Sequence, residues 1–343
     1  MRALLFILLI TAITAISGAF LWIKYGQPAD VFYAPIHKER PHKATEALPI
    51  RILAVGDTML GRSVGIAYAS GIDLFAPFRN AKQELLTSSD IVIANLEGPI
   101  TNTKECQQKE IVFSFDPSVA RMLAENSITH VSLANNHSFD CFGHGLSDTK
   151  KYLSEAGVVY VGGGAVSESA TTTVVRGKKI AIMGIDRTID STKSEVVFEH
   201  VQNLAQTHEY VIVEVHWGNE YELIESEDQK ILAHGLIDAG ADVVVGHHPH
   251  VVQPIEFYNG KPIFYSLGNF IFDQIGKERN TGIAIELILQ EEKIQTIVHP
   301  YTISKDRQPV PMPEDEAYAY CASLISSVPS LPGKVCVFEA LSP

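Results

Sequence analysis

Basic residues are in short supply in this chain. Lysine and arginine total 27 against 40 aspartates and glutamates, a formal net charge of −13 at pH 7. A nucleic-acid binder normally carries a basic face, so no nucleic-acid partner is expected. An anionic substrate would have to be met by metal ions and a few local cations, because the overall field repels it. Internal repeats and low-complexity tracts are lacking. Cysteine is scarce, at four residues in 343. What is plentiful is apolar material, 46% of the chain, which supports a sizeable core and argues against overall disorder. The length suits one large domain or two ordinary ones.

Residues 3–23 form a charge-free apolar run broken only by Thr11, Thr14, Ser17 and Gly18. A membrane span needs about 20 such residues and a cleavable signal core about 7–15. The expectation is a transmembrane signal anchor over 1–24. The alternative is a signal peptide cut after Ser17-Gly18-Ala19. Only Arg2 precedes the run, whereas Lys24, Lys38, Arg40 and Lys43 follow it. That opposes the positive-inside tendency, but long following domains are translocated largely regardless of charge. The reading is therefore a single-pass cell-membrane protein with its domain on the extracytoplasmic side, periplasmic or extracellular. Residues 25–48, with Pro28, Pro35 and Pro41 among many charges, read as a stiff tether. An even cysteine count behind an export signal fits disulfides, although four cysteines allow three connectivities. The pairs Cys106–Cys141 and Cys321–Cys336 are expected, and closing such loops contributes about 3–4 kcal/mol in the chain-entropy account. The alternative is four buried thiols in a reducing compartment.

A folded domain is expected over 49–305, with a C-terminal extension over 306–343 packing on it. Asp116-Pro117 opens a helix to about Asn126. A helix over 146–156 stops at Gly157, and Ser226 to Gln229 has capping-box spacing before a helix to Ala239. β-Branched runs at 158–161, 179–185, 210–215 and 241–245 lie between them. Such alternation implies an α/β fold with a largely parallel sheet covered on both faces. After Gly246 the pattern turns antiparallel: Asn259-Gly260 joins a hairpin, and 283–289 with 293–299 makes a second pair. A short helix is expected near 314–326.

Five strand-like runs end in residues able to hold a metal. Residues 52–55 run into Gly56-Asp57, 91–94 into Asn95-Leu96-Glu97, and 130–134 into Asn135-Asn136-His137. Residues 211–215 end at His216, and 243–245 run into Gly246-His247-His248-Pro249-His250. In a parallel sheet the loops after the strands share one edge, where ligands bind. Each motif alone is an ordinary turn or loop; together they are a set of oxygen and imidazole donors suited to Mn, Fe, Zn or Mg and not to a thiolate metal. One or two divalent ions are expected, and a pair about 3.5–4 Å apart would clamp a substrate oxyanion. Glu97 is the candidate bridging carboxylate. His137 is a candidate general acid, with Asp140 three residues on to orient it. Trp217, Glu220 and Tyr221 follow a candidate ligand and are assigned to the substrate pocket. Rim packing is an equal reading for Trp217. Arg62 is the candidate anion contact, since guanidinium matches carboxylate or phosphate; the alternative is a surface salt bridge. His247 reads as a neighbour of the site, and His200, His208 and His234 as surface residues.

The segments Ala54 to Arg62, Ala94 to Gly98, Leu133 to His137 with Asp140 and Gly143, His216 to Tyr221, Gly246 to Gln253, and Tyr265 to Phe270 together resemble the CapA/PgsA family. These are poly-γ-glutamate capsule biosynthesis proteins within the calcineurin-like metallophosphoesterase superfamily. The ordered set spans about residues 50–275. The resemblance implies a four-layer αββα metallophosphatase-like sandwich with the site at one rim. It implies metal positions at Asp57, Glu97, Asn136, His216, His248 and His250, a general acid at His137, and substrate-side positions that include Asn135 and Asn269. One departure stands out: where the wider superfamily has a histidine, this chain has Met59, whose thioether suits hard cations poorly. The function implied is an anchored protein supporting poly-γ-glutamate assembly or export through a metal-dependent hydrolase- or transferase-type site, with an anionic polymer or phosphoester as substrate and polymer synthase subunits as partners. A non-catalytic scaffold and an envelope phosphatase or nucleotidase are the alternatives.

Overall fold

The computed structural model describes residues 48–290, 293–325 and 336–341. The expected anchor lies outside the described residues, as does the tether up to residue 47. Among the described residues no helix is long and apolar enough to cross a membrane.

The strands form two mixed sheets. In the first, β1 (Ile50–Thr58), β2 (Ile91–Leu96), β3 (His130–Ser132) and β4 (Val159–Val161) run parallel in that order. On the other side of β1 lie antiparallel β12 (Thr281–Gln290), β13 (Lys293–Ile303) and β14 (Pro309–Pro311), with β15 (Val337–Leu341) also on β13. The short β11 (Asn269–Ile271) joins β1 in parallel at its C-terminal end. In the second sheet, β6 (Lys178–Asp186), β7 (Tyr210–His216), β8 (Val243–His247) and β10 (Lys261–Phe264) are parallel. Hairpin partners β5 (Ala170–Val175) and β9 (Ile255–Tyr258) flank them. Alternation alone implies one parallel sheet. The β5–β6 hairpin, turning at Arg176 and Gly177 with φ of 49° and 79°, starts a second one.

The reason for two sheets is visible in the period-2 pattern. On β1, Ile50, Ile52 and Ala54 pack in the same core as Ile180 and Ile182 of β6, Ile212 of β7, and Val243 and Val245 of β8. The intervening Leu53 and Val55 pack with helices α1 (Arg62–Ala69), α2 (Ala76–Ala81), α3 (Gln83–Ser88), α4 (Ser118–Glu125) and α5 (Phe142–Ala156). On the second sheet, Ala181, Met183, Val211, Val213, Val215 and Val244 form a third core with α6 (Ser194–Ala205) and α7 (Glu227–Asp238). Strands apolar on both faces need cover on both, and three cores between four layers provide it. The fold is α/β.

The local signals act as expected at several ends. Ser226 Oγ accepts from Gln229 N at 3.2 Å while Gln229 Oε1 accepts from Ser226 N at 2.9 Å, closing the capping box of α7. Gly157 ends α5 at φ 77°, although α5 begins at Phe142, four residues earlier than its apolar spacing suggests. The C-terminal segment contributes α8 (Glu314–Leu324) and strands on β13. Disulfides join Cys106 to Cys141 and Cys321 to Cys336.

Gly56 fixes how β1 meets β11. A Cβ there would lie 2.0 Å from the Gly268 carbonyl oxygen, the same oxygen that accepts from Asp57 N at 2.9 Å. Gly56→Ala is therefore expected to part the two strands and cost about 1–3 kcal/mol, read as a lower urea midpoint. An unchanged midpoint would mean the 268–269 turn can retreat freely.

Candidate metal centre

The C-terminal ends of β1, β2, β3, β7 and β8 carry the polar residues that sequence spacing singles out, and the two sheets bring these ends to one edge. Asp57, buried at the end of β1 beyond a register shift, sits at the middle. Its Oδ1 accepts from Asn95 Nδ2 at 2.8 Å and lies 3.3 Å from His247 Nδ1; its Oδ2 lies 3.0 Å from His250 Nδ1. Burial works against this charge, but the two imidazoles close beside it outweigh it and hold the carboxyl well below the usual range.

His216 approaches from β7. Its Nδ1 is 3.3 Å from Asn95 Nδ2 and its Nε2 is 3.1 Å from Asn136 Oδ1. Burial, with the repulsion of His248, keeps this imidazole neutral, well below its ordinary pKa; a neutral ring is the form that ligates. His248 packs against it with ring centroids 4.7 Å apart, and burial lowers its pKa to about 4. His248 and His250 flank Pro249 at φ 98° and 58°. Non-glycine residues in this region cost about 1–3 kcal/mol each and persist where the surroundings hold them.

Glu97 is fully buried, and neither carboxylate oxygen has a hydrogen-bond partner among the described residues. Oε1 is 3.6 Å from His250 Nε2 and 3.9 Å from His137 Nε2. Burial pushes its pKa up to about 8. A buried carboxylate with free lone pairs is costly unless a cation meets it. Ligand atoms of Asp57, Glu97 and His250 all lie within 4.8 Å of one another. The residues present therefore fit a divalent cation.

His137 stands beside this cluster. Its Nδ1 is 2.7 Å from Asp140 Oδ2, its ring is 4.1 Å from that of Phe113, and Nε2 is left facing Glu97. Asp140 is fully buried; Oδ2 also accepts from Phe113 N at 2.7 Å, and Oδ1 pairs with Lys109 Nζ at 2.6 Å. The loop carrying Lys109 and Phe113 is tied to the His137 loop by Cys106–Cys141 and by Gln107 N donating to Asp140 O at 2.7 Å.

A model of the family described as bacterial capsule synthesis protein PGA_cap matches residues 51–274. The chain belongs to that family. Among PGA_cap relatives, the PGA biosynthesis protein CapA of Bacillus subtilis (strain 168) is 33% identical over 240 residues, 64% of this chain and 62% of the relative. The capsule biosynthesis protein CapA of Bacillus anthracis is 34% identical over 259 residues, 68% of this chain and 62% of the relative. This PGA_cap chain thus matches about three fifths of the length of either Bacillus protein. Similar solved structures include a hypothetical protein from Thermus thermophilus, 18% identical with a TM-score of 0.44 over 86% of this chain and 100% of that one. A purple acid phosphatase from yellow lupin seeds is 10% identical, with a TM-score of 0.41 over 78% and 53%.

Around the PGA_cap centre, Asn135 braces the ligand loops: its Nδ2 donates to Asn95 Oδ1 at 3.0 Å and Leu96 O at 2.9 Å. Asn269 Oδ1 lies 3.0 Å from His250 Nδ1. Tyr221 is at the rim, half exposed, with Arg279 over its ring at 5.0 Å. Two assignments are placed differently. Trp217 is buried in the third core, where Nε1 donates to Tyr265 O at 2.8 Å, so its ring packs away from solvent. Arg62 pairs with Asp273 and lies over the Phe113 ring at 4.9 Å, one ring removed from His137. Met59 is fully buried in the helix-side core and its Sδ accepts from Gly61 N at 3.2 Å.

Three residues escaped the sequence reading, and a fourth, His247, is the neighbour of the site that was expected. Asn95 joins Asp57, Asn135 and His216. Lys109 and Phe113 hold the His137 and Asp140 pair. His247, read only as a neighbour, touches Asp57 and, through Nε2, Glu214 Oε2 at 2.7 Å. Burial opposes charge on His247, but the carboxylates of Asp57 and Glu214 on either side raise its pKa to about 9. The readable signal was Glu214 itself, a carboxylate inside an otherwise apolar strand, which needs a buried partner.

Proposed function

We propose that this chain supports poly-γ-glutamate assembly or export from a membrane anchor, outside the cytoplasm, through a divalent-metal hydrolase- or transferase-type centre acting on an amide or phosphoester. The observation that carries the reading is the fully buried Glu97, unpartnered at both oxygens, beside Asp57 and His250. Family membership and the printed names of the Bacillus relatives support the polymer. A probable polyglutamine synthesis accessory protein of Mycobacterium tuberculosis, 31% identical over 231 residues, supports polymer synthase subunits as partners. Two disulfides suit an oxidising compartment.

Asp57, Glu97, Asn136, His216, His248 and His250 would hold the cation. A bound divalent ion supplies Lewis acidity at a substrate oxygen and offsets the acidic surroundings. The remaining work belongs to the side chains. His137 presents Nε2 to the cluster and gives its proton to the leaving group, while Asp140 fixes the ring through Nδ1. Against the net charge of −13 an anionic polymer needs a local cation, and Arg279 over the Tyr221 ring is one; Lys109 and Arg62 are paired with Asp140 and Asp273. Asn135 and Asn269 keep the ligands in place, and Glu220 and Tyr221 face the approach.

The test combines metal analysis with complementation of a capsule-deficient strain. Stoichiometric cation in the purified wild-type chain, and polymer lost in folded His216→Ala and His137→Ala variants, is the expected result. No metal together with normal polymer from both variants would leave a scaffold. Turnover of a phosphoester panel with added Mn²⁺, without any polymer phenotype, would leave an envelope phosphatase.

A further inference from the structure

Arg51, Arg62, Arg79 and Arg176 each form an ion pair with a carboxylate. Arg279, partly buried in the loop between β11 and β12, forms none among the described residues. Its guanidinium carbon lies 5.0 Å from the centre of the Tyr221 ring, and that ring lies 6.2 Å from the ring of His250. The cation is thus one ring removed from a candidate metal ligand.

Three loops fix it there. Asn269 Nδ2 donates to Arg279 O at 3.0 Å, while Asn269 Oδ1 lies 3.0 Å from His250 Nδ1. One amide side chain therefore holds both the arginine and the histidine. Tyr221 N donates to Pro249 O at 2.8 Å, and Gln274 Nε2 donates to Tyr221 OH at 3.2 Å. Gly276 leaves room for the guanidinium: a Cβ there would lie 2.9 Å from Arg279 Nε and 3.1 Å from Nη2. Stacking on a ring uses the face of a guanidinium. Its N–H fork, the part that matches a carboxylate, is at the edge.

The surroundings make this cation count. Glu220, exposed, precedes Tyr221 on the approach, and Asp57 and Glu97 lie buried at the centre. A polymer with a carboxylate on every repeat is repelled by all three. In a γ-glutamyl chain the amide is made by the side-chain carboxyl, so the α-carboxylate stays free on the carbon bonded to the amide nitrogen. Every amide brought to the metal ligands then carries a carboxylate at the same short offset, which one fixed cation can read.

We propose that Arg279 is the specificity-determining residue of this site: its guanidinium takes the free carboxylate beside the reacting amide, and Tyr221 and Asn269 position it relative to His250. The inference rests on the reading of an anionic polymer substrate above.

The experiment measures binding, by calorimetry on the full chain supplied with Mn²⁺. The probes are a defined γ-glutamyl oligomer and the same oligomer with its carboxylates converted to amides. Arg279→Gln should weaken the carboxylate oligomer by about ten- to a hundredfold, the range for a charge-assisted contact, and leave the amidated oligomer as in wild type. Arg279→Lys, which keeps the charge and loses the fork, should recover only part of that loss. Lys277→Gln, which removes the same charge from the same loop, should bind as wild type does. Wild-type affinity in Arg279→Gln overturns the assignment and leaves the polymer reading standing. An equal loss in Lys277→Gln overturns it in favour of general loop charge. No binding of the carboxylate oligomer to the wild-type chain overturns the polymer reading and this inference with it.

Discussion

Replacing His137 with glutamine is expected to lower turnover by about a hundred- to ten-thousandfold, the range for removing a positioned general acid, while cation binding and thermal stability stay near wild type. The expectation comes from how the ring is held. Asp140 accepts from one side, Phe113 packs on the face, and the free nitrogen looks toward Glu97. Glutamine keeps a polar group near Asp140 but has no proton to transfer. The same geometry orders weaker effects. Lys109→Met removes the cation that neutralises Asp140 and should cost about tenfold, toward the low end for a supporting residue around a functional site, with Lys109→Arg restoring most of it. Turnover is measured on purified, metal-loaded chain with a γ-glutamyl polymer. Equal rates for wild type and His137→Gln would return His137 to a packing role.

How much was legible depends on whether the signal was local. Asp57, Asn136, His216 and His250 were readable because each lies at the C-terminal end of a parallel strand or within four residues beyond it, and in a parallel arrangement strand ends share an edge. The capping box at Ser226, the αL stop at Gly157 and the Asn259-Gly260 turn were readable because each is decided by a few neighbouring residues. Two sheets in place of one parallel sheet were not readable from alternation, because it reports that a strand is buried on both faces and not what buries it. Lys109 and Phe113 were hidden in a loop with no periodicity; only the Cys106–Cys141 bridge, placed correctly, hinted that this loop belongs to His137. Trp217 had two equal readings, pocket and packing, and the structure gives the second. Adjacency to a ligand suggested a pocket residue, but strand alternation turns the residue after His216 toward the helices, where its indole N–H finds the Tyr265 carbonyl.

Acidification should destabilise this protein through a residue far in sequence from most of the metal candidates. His130, at the start of β3, is 3% exposed. Its Nδ1 is 2.8 Å from Thr129 Oγ1 and its Nε2 is 2.8 Å from Thr173 Oγ1 on β5, so the ring bridges the two sheets. Burial alone lowers its pKa from 6.5 to about 4. A histidine kept neutral in the folded state binds fewer protons than the unfolded chain wherever the pH lies between those values. Its contribution is therefore fully present above pH 6.5 and is lost as pH falls toward 4. The full span amounts to about 3 kcal/mol. His130→Gln cannot take up a proton and retains one donor and one acceptor for the two threonines. It should be somewhat less stable than wild type near neutrality, and the gap should close or reverse in acid. Urea midpoints of both proteins, measured across this range in excess chelator so that cation loss is common to both, isolate the effect. Parallel pH profiles would show that the ring is protonated without opening the sheets and that the buried imidazole is not what acid attacks.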